Sequence, residues 1–340
     1  MPLTEAGRSR VFICASESCR LSATLTALGL LHSPPTLAQT PSFPQRPLHL
    51  IVGFAAGGST DIIARVIAQK LTETLQQPVV VDNRAGANGN IAAEATAKAA
   101  PDGYTMLMAA NGLTINVSLY QNLLYDPLRD FSPITQVAEI PNVLVVHPSL
   151  PVRSVDELIT LAKARPSQLT HGSSGTGSPG HMAGELFKMM TSVSFVHVPY
   201  KSSAQALIDL VGGNIQLAFP TTFVAMPQIN SGKLRALGIT SMKRSRSLPA
   251  MPTLDEAGVR GYEVVGFYGI VAPAGVAPEI IARLNRAITQ VLRMPDVEAR
   301  LLRDGAEPVA STAAEFRSYL EGDVNKWRKV IAAAGIRFQP

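Results

Sequence analysis

Twice in this chain a strand-length apolar run ends in a loop of Gly, Ser and Thr that leads directly into a helix-periodic segment. Few folds accept that order. In the first unit "LHLIVGF" precedes "AAGGSTD", after which Ile63, Ile67, Leu71 and Leu75 form one stripe with Ile62 and Val66 beside it. In the second, "LTHGS" precedes "SGTGSPG" and a helix from Ser178. Around the first unit, "PVVVDN", "RAGANGN", "IAAEATAKAA" and "GYTMLMAAN" complete a βαβαβ order. That order predicts a parallel sheet with helices on both faces.

The alternation breaks once and then resumes. "LYQNLLYDPLRDFSPITQVAEIPN" holds several prolines and no clean period, which suits a crossover between lobes, with "VLVVHP" as a strand near the hinge. A second alternating set opens at Ser154, whose "SVDE" is a capping box, and runs through "SFVHVPY", "IQLAF", "FVAMPQI" and "LRALGIT". "YEVVGFYGIVA" reads as a return to the first lobe, and two helices, from Pro278 and from the capping box at Thr312, close the chain. The expected fold is α/β and two-lobed, each lobe a sheet flanked by helices. The first lobe is discontinuous, over 44–140 and 245–340, and the second spans 141–244.

Residues 1–38 look like a leader. Arg20 precedes the short apolar stretch "LSATLTALGLL", and Thr36 and Ala38 supply small residues before a cleavage point at Gln39. A disordered cytoplasmic tail is the competing reading. Both cysteines, Cys14 and Cys19, fall in this leader, so the mature chain would hold no disulfide, thiol nucleophile or Cys-type zinc site. The formal charge of +5 is spread thinly, its densest cluster being "KRSR" at Lys243 to Arg246. Aromatic residues do not alternate with the basic ones, so no nucleic-acid partner is expected.

Each Gly loop resembles a nucleotide motif and fails it in one place. "GFAAGGST" has P-loop spacing, but Ser59 stands where the phosphate-binding lysine belongs. "GTGSPG" has dinucleotide spacing, yet Tyr200 and Lys201 occupy the end of the next strand, where an acid is required. Both loops run into helix N-termini, with Ser59 or Thr60 as candidate cap in the first and Ser178 followed by Pro179 in the second. Unpaired backbone N–H groups and a positive dipole end suit a small anion, and without a lysine a carboxylate suits better than a triphosphate. Tight turns whose glycines only permit close packing would look the same.

No catalytic set emerges. "GSSGT" misses the nucleophile elbow, because Thr176 replaces its last glycine. The histidines lack metal spacing, and His181 with Glu185 reads as a surface contact. Asp61 could be a base, but the helix dipole already explains an acid there. The chain reads as a binder with no cofactor and no metal, not as an enzyme.

Long blocks of the chain resemble the Bug-type extracytoplasmic receptors of tripartite tricarboxylate transporters. They include "RPLHLIVGFAAGGSTDIIARVIAQKL", "HGSSGTGSPGHMAGELFKMM" and "MPTLDEAGVRGYEVVGFYGIVAPAG", and the likeness runs from about Arg46 to Ile336. The resemblance implies a periplasmic-binding-protein ("Venus flytrap") fold that closes over a small carboxylate, exported to the periplasm and acting as a monomer. It implies ligand contacts from Phe54, Ala55, Gly57, Gly58, Ser59, Thr60 and Asp61 in one lobe and Ser173, Ser174, Thr176, Gly177 and Ser178 in the other. Asn111, Tyr200, Pro220, Thr221 and Phe267 complete the expected site. Receptors of this type that bind amino acids tend to carry an acid after the strand matching "IQLAF". Pro220 stands there in this chain, which favours a mono- or dicarboxylate, aromatic ones included. The partner implied is a membrane permease, with a sensory role or an intracellular doubly wound enzyme as the other readings.

Overall fold

β-Branched and aliphatic runs take the strand positions because they pack well on a pleated surface covered by helices. The structure, a computed structural model, describes residues 43–246 and 248–336. The expected leader, with Cys14, Cys19 and the junction before Gln39, lies outside the described residues. The first elements are β1 (Leu48–Val52), α1 (Ser59–Leu75), β2 (Val79–Asn83), α2 (Asn90–Ala97), β3 (Thr105–Ala110), α3 (Gly112–Leu119) and β4 (Phe131–Pro141). Next come β5 (Val143–Val146), α4 (Val155–Ala164), β6 (Leu169–Ser173), α5 (Pro179–Thr191), β7 (Phe195–Pro199) and α6 (Ser203–Val211). β8 (Leu217–Ala218), α7 (Thr222–Asn230) and β9 (Arg235–Ile239) follow. The chain then runs through β10 (Val265–Pro273), α8 (Pro278–Leu292), α9 (Pro295–Arg303), β11 (Glu307–Pro308) and α10 (Ala313–Ala334).

Two sheets form, in the orders β11-β4-β10-β3-β1-β2 and β7-β6-β8-β5-β9. The parallel part is as expected: β1 lies between β2 and β3, and β6 between β7 and β8, all parallel. Neither sheet is wholly parallel, however. β10 runs antiparallel to β3 and β4, and β5 antiparallel to β8 and β9. These strands carry the chain between sheets instead of following a helical crossover, so nothing enforces the parallel direction.

The stretch expected to be an irregular crossover contains β4, a long strand. Its period is invisible because both faces are covered, leaving almost every residue buried. Pro133 fits within it beside a register shift in the β10 ladder, where a missing N–H does little harm. Three helices, not two, end the chain, because Pro295 breaks the run after α8 and starts α9. α10 serves both lobes. Phe316 and Leu320 pack in the core of the first sheet, while Trp327, Val330 and Ile331 pack in that of the second.

Candidate functional site

The loop after β1 is held from behind by Asp61. Its carboxylate accepts hydrogen bonds from Gly57 N–H (2.8 Å), Arg65 Nε (3.0 Å) and Asn83 Nδ2 (2.9 Å). Burial pushes the Asp61 pKa up, but the bonds from Arg65, Gly57 and Asn83 outweigh it and hold the acid below its usual range. The cap of α1 departs from expectation. Gly58 is the N-cap, with no side-chain cap bond, and Ser59 Oγ instead meets the Tyr268 hydroxyl at 2.9 Å. Ser59 and Thr60 already lie inside the helix, and neither hydroxyl caps it.

The loop after β6 follows its expected pattern. Ser178 caps α5 by accepting from His181 N–H, and Pro179 occupies the first turn, where a missing N–H is harmless. Behind the loop stands a cluster that sequence spacing did not reveal. Gly177 N–H donates to His181 Nδ1 (3.1 Å), so Nε2 carries the ring proton and points toward Glu185 Oε1 at 3.6 Å. Lys188 Nζ reaches the same oxygen at 2.7 Å. The His181 ring stacks on His197, and His197 Nε2 bonds Ser173 Oγ at 2.7 Å. The expected surface contact between His181 and Glu185 is thus a buried one, since the loop needs an acceptor for Gly177 and the imidazole supplies it. Burial drives the His197 pKa down to about 4 and that of the deeper His171 to about 3. Burial raises Glu185, but its bonds to His181 and Lys188 prevail and bring it to about 2.

Between the sheets lies a cavity of about 220 Å³. Of the residues expected at a site, Phe54, Ser59, Thr60, Asn111, Ser173, Ser174, Gly177, Pro220 and Thr221 line it. The others do not. Ala55, Gly57 and Gly58 shape the first loop, Asp61 is occupied behind it, and Thr176 and Ser178 shape the second. Tyr200 gives its hydroxyl proton to Asp209 Oδ2 (2.7 Å). Phe267 is fully buried on the far face of β10, and Tyr268, its neighbour in the strand, faces the cavity instead. Parity was illegible there because β10 is buried on both faces.

Asn88, Asn142 and Tyr268 line the cavity without having been anticipated. Asn88 is fixed by Asn116, whose Oδ1 accepts from Asn88 Nδ2 and whose Nδ2 donates to the Asn88 carbonyl. α3 approaches this turn so closely that a Cβ on Gly112 would lie 2.2 Å from Asn88 O. "IPNV", a lone amide between apolar strands, was the available signal for Asn142.

The electrostatics of the cavity are simple. No charged side chain lines it among the described residues. The N-terminal ends of α1, α3, α5, α6 and α7 all reach it, through Ser59, Gly112, Pro179, Ser203 and Thr221. Each end carries roughly half a positive charge in the macrodipole picture, together with unpaired N–H groups. Such a cavity favours a small anion over a cation. Among the described residues no cluster of His, Cys, Asp or Glu is set to hold a metal, and no helix is long and apolar enough to cross a membrane.

Two lobes around an anion-suited cleft are the architecture of a solute-binding receptor. The family model described as "Tripartite tricarboxylate transporter family receptor" matches residues 63–336, and the chain belongs to that family, whose members are receptors and not enzymes. Protein BugT of Bordetella pertussis is 38% identical over 300 residues, covering 88% of this chain and 92% of its own length. The solved structure of R. palustris Rpa4515 with adipate is 39% identical with a TM-score of 0.76, covering 87% of this chain and 100% of that one. MatC (Rpa3494) from Rhodopseudomonas palustris with bound malate is 31% identical with a TM-score of 0.71, covering 85% and 100%.

Proposed function

We propose that this chain is a periplasmic receptor that closes on a small carboxylate and delivers it to a membrane permease of the tripartite type. The observation that carries the ligand reading is the cavity ringed by helix N-termini from both lobes, without a charged side chain. The relatives solved with adipate and malate support it. Export and the permease partner rest on family membership and on the leader-like residues 1–38. A mono- or dicarboxylate is favoured over an α-amino acid. Asp61, the acid behind the first loop, is engaged by Gly57, Arg65 and Asn83, and a buried ammonium without a countercharge costs several kcal/mol by order of magnitude.

A thermal-shift screen over small carboxylic acids, followed by calorimetry, tests this. Ligands held only by the folded state raise its melting temperature by mass action. Gly177→Val is expected to abolish the shift. Gly177 has φ +79°, and a Cβ there would lie 2.3 Å from Leu119 Cδ1 of α3. Tighter binding of aspartate or glutamate than of succinate, malate or nicotinate would overturn the ligand class. A full shift retained in the variant would reduce the loop to a tight turn.

A further inference from the structure

We propose that Asn142 sets specificity within the cleft by accepting a hydrogen bond from a hydroxyl carried by the bound carboxylate, an inference that rests on the carboxylate reading above. Asn142 sits where β4 leaves the first sheet and β5 enters the second, and it is 1% exposed. Its backbone is fully used: the N–H donates to Thr240 Oγ1 (2.8 Å), and the carbonyl accepts from Thr240 N–H (2.9 Å). Its side-chain Nδ2 donates to the Phe219 carbonyl, which fixes the amide orientation. Turned over, the amide would set its own oxygen against that carbonyl, acceptor against acceptor. Oδ1 therefore stays on the other side, buried, without a hydrogen-bond partner among the described residues, on a residue that borders the cavity.

The chemistry of that atom is one-sided. The hydroxyls of Ser174, Ser203 and Thr221 at the same cavity can rotate to donate or accept, and so tolerate many ligand groups. An amide oxygen only accepts. A carboxylate oxygen placed on it would be repelled. An ammonium would gain one neutral acceptor and no countercharge. A hydroxyl satisfies it without bringing charge. The same cavity thus separates a hydroxycarboxylate from its unsubstituted counterpart, because the latter leaves a buried acceptor unpaired.

Calorimetry on the wild-type protein with malate against succinate, lactate against propionate, and 3-hydroxybutyrate against butyrate tests the proposal. At least one hydroxylated acid is expected to bind about tenfold tighter than its partner, the worth of one hydrogen bond. Asn142→Leu, similar in size and lacking the acceptor, should bring that ratio to about one. Equal affinities within every pair for the wild type overturn the proposal, whether or not the variant folds. A preference that survives in the variant also overturns it. Binding of none of these acids removes the carboxylate reading, and this proposal with it. Binding of unsubstituted acids alone removes only this proposal.

Discussion

Asp61 shows how one side chain can matter at a site without touching the ligand space. Its carboxylate gathers the Gly57 N–H, the Arg65 guanidinium and the Asn83 amide, and so shapes the loop that presents Phe54 and Ser59. Asp61→Ala would remove the acceptor these three donors share and is expected to cost about 1–3 kcal/mol in chemical denaturation. A loss inside experimental error would mean the loop holds its shape unaided. Legibility at this scale was uneven. Ser178 was readable because an N-cap hydroxyl followed by proline is a local matter of backbone donors. Ser59 was not, since its actual partner, Tyr268, lies 209 residues away in sequence. Nor does the sequence say which of Phe267 and Tyr268 meets the cavity, because a strand buried on both sides shows no alternation.

At the scale of elements, β6, β7 and α5 carry a pH dependence in their packing. His171 and His197 are held at about 3 and about 4, against 6.5 for an ordinary imidazole. Unfolding lets them bind protons that the native state refuses. Their contribution to stability is therefore complete above pH 6.5 and declines as the pH falls from there toward their folded values. Glu185, lowered from 4.5 to about 2, adds a further loss that begins only below pH 4.5. Melting temperatures should thus fall between neutral pH and pH 4.5, a range in which carboxylates contribute less, and His171→Leu should flatten the decline. A wild-type profile flat over that range would contradict the burial of the two rings. The His171 nitrogens have no hydrogen-bond partner among the described residues, so the leucine variant loses no bond there.

For the molecule as a whole, Thr240 ties together the passages from β4 to β5 and from β9 to β10, which join the two sheets. Its hydroxyl receives the Asn142 N–H and lies against the carbonyls of Asn142 and Val264. Beside these passages Gly305, after α9, lies close against Phe223 of α7. A receptor of this build is expected to close on its ligand by hinge motion. Solution scattering should show a smaller radius of gyration when a carboxylate that stabilises the protein is added. An unchanged profile at saturating ligand would argue for a rigid site.

Local chain chemistry was enough to reveal two strand–loop–helix units, their anion-suited helix ends and the absence of a nucleotide lysine, because periodicity, caps and glycine loops are written over a few neighbouring residues. Of the contacts the family resemblance implied, Ser173, Ser174 and Gly177 in one loop and Phe54, Ser59 and Thr60 in the other border the cavity. The direction of β10 and β5, the burial of His181 with Glu185, and the arrival of Asn88, Asn142 and Tyr268 at the cavity came from folding in three dimensions. Each depends on partners far along the chain. A strand covered on both faces carries no pattern to say which side meets the ligand, and only packing chooses between them.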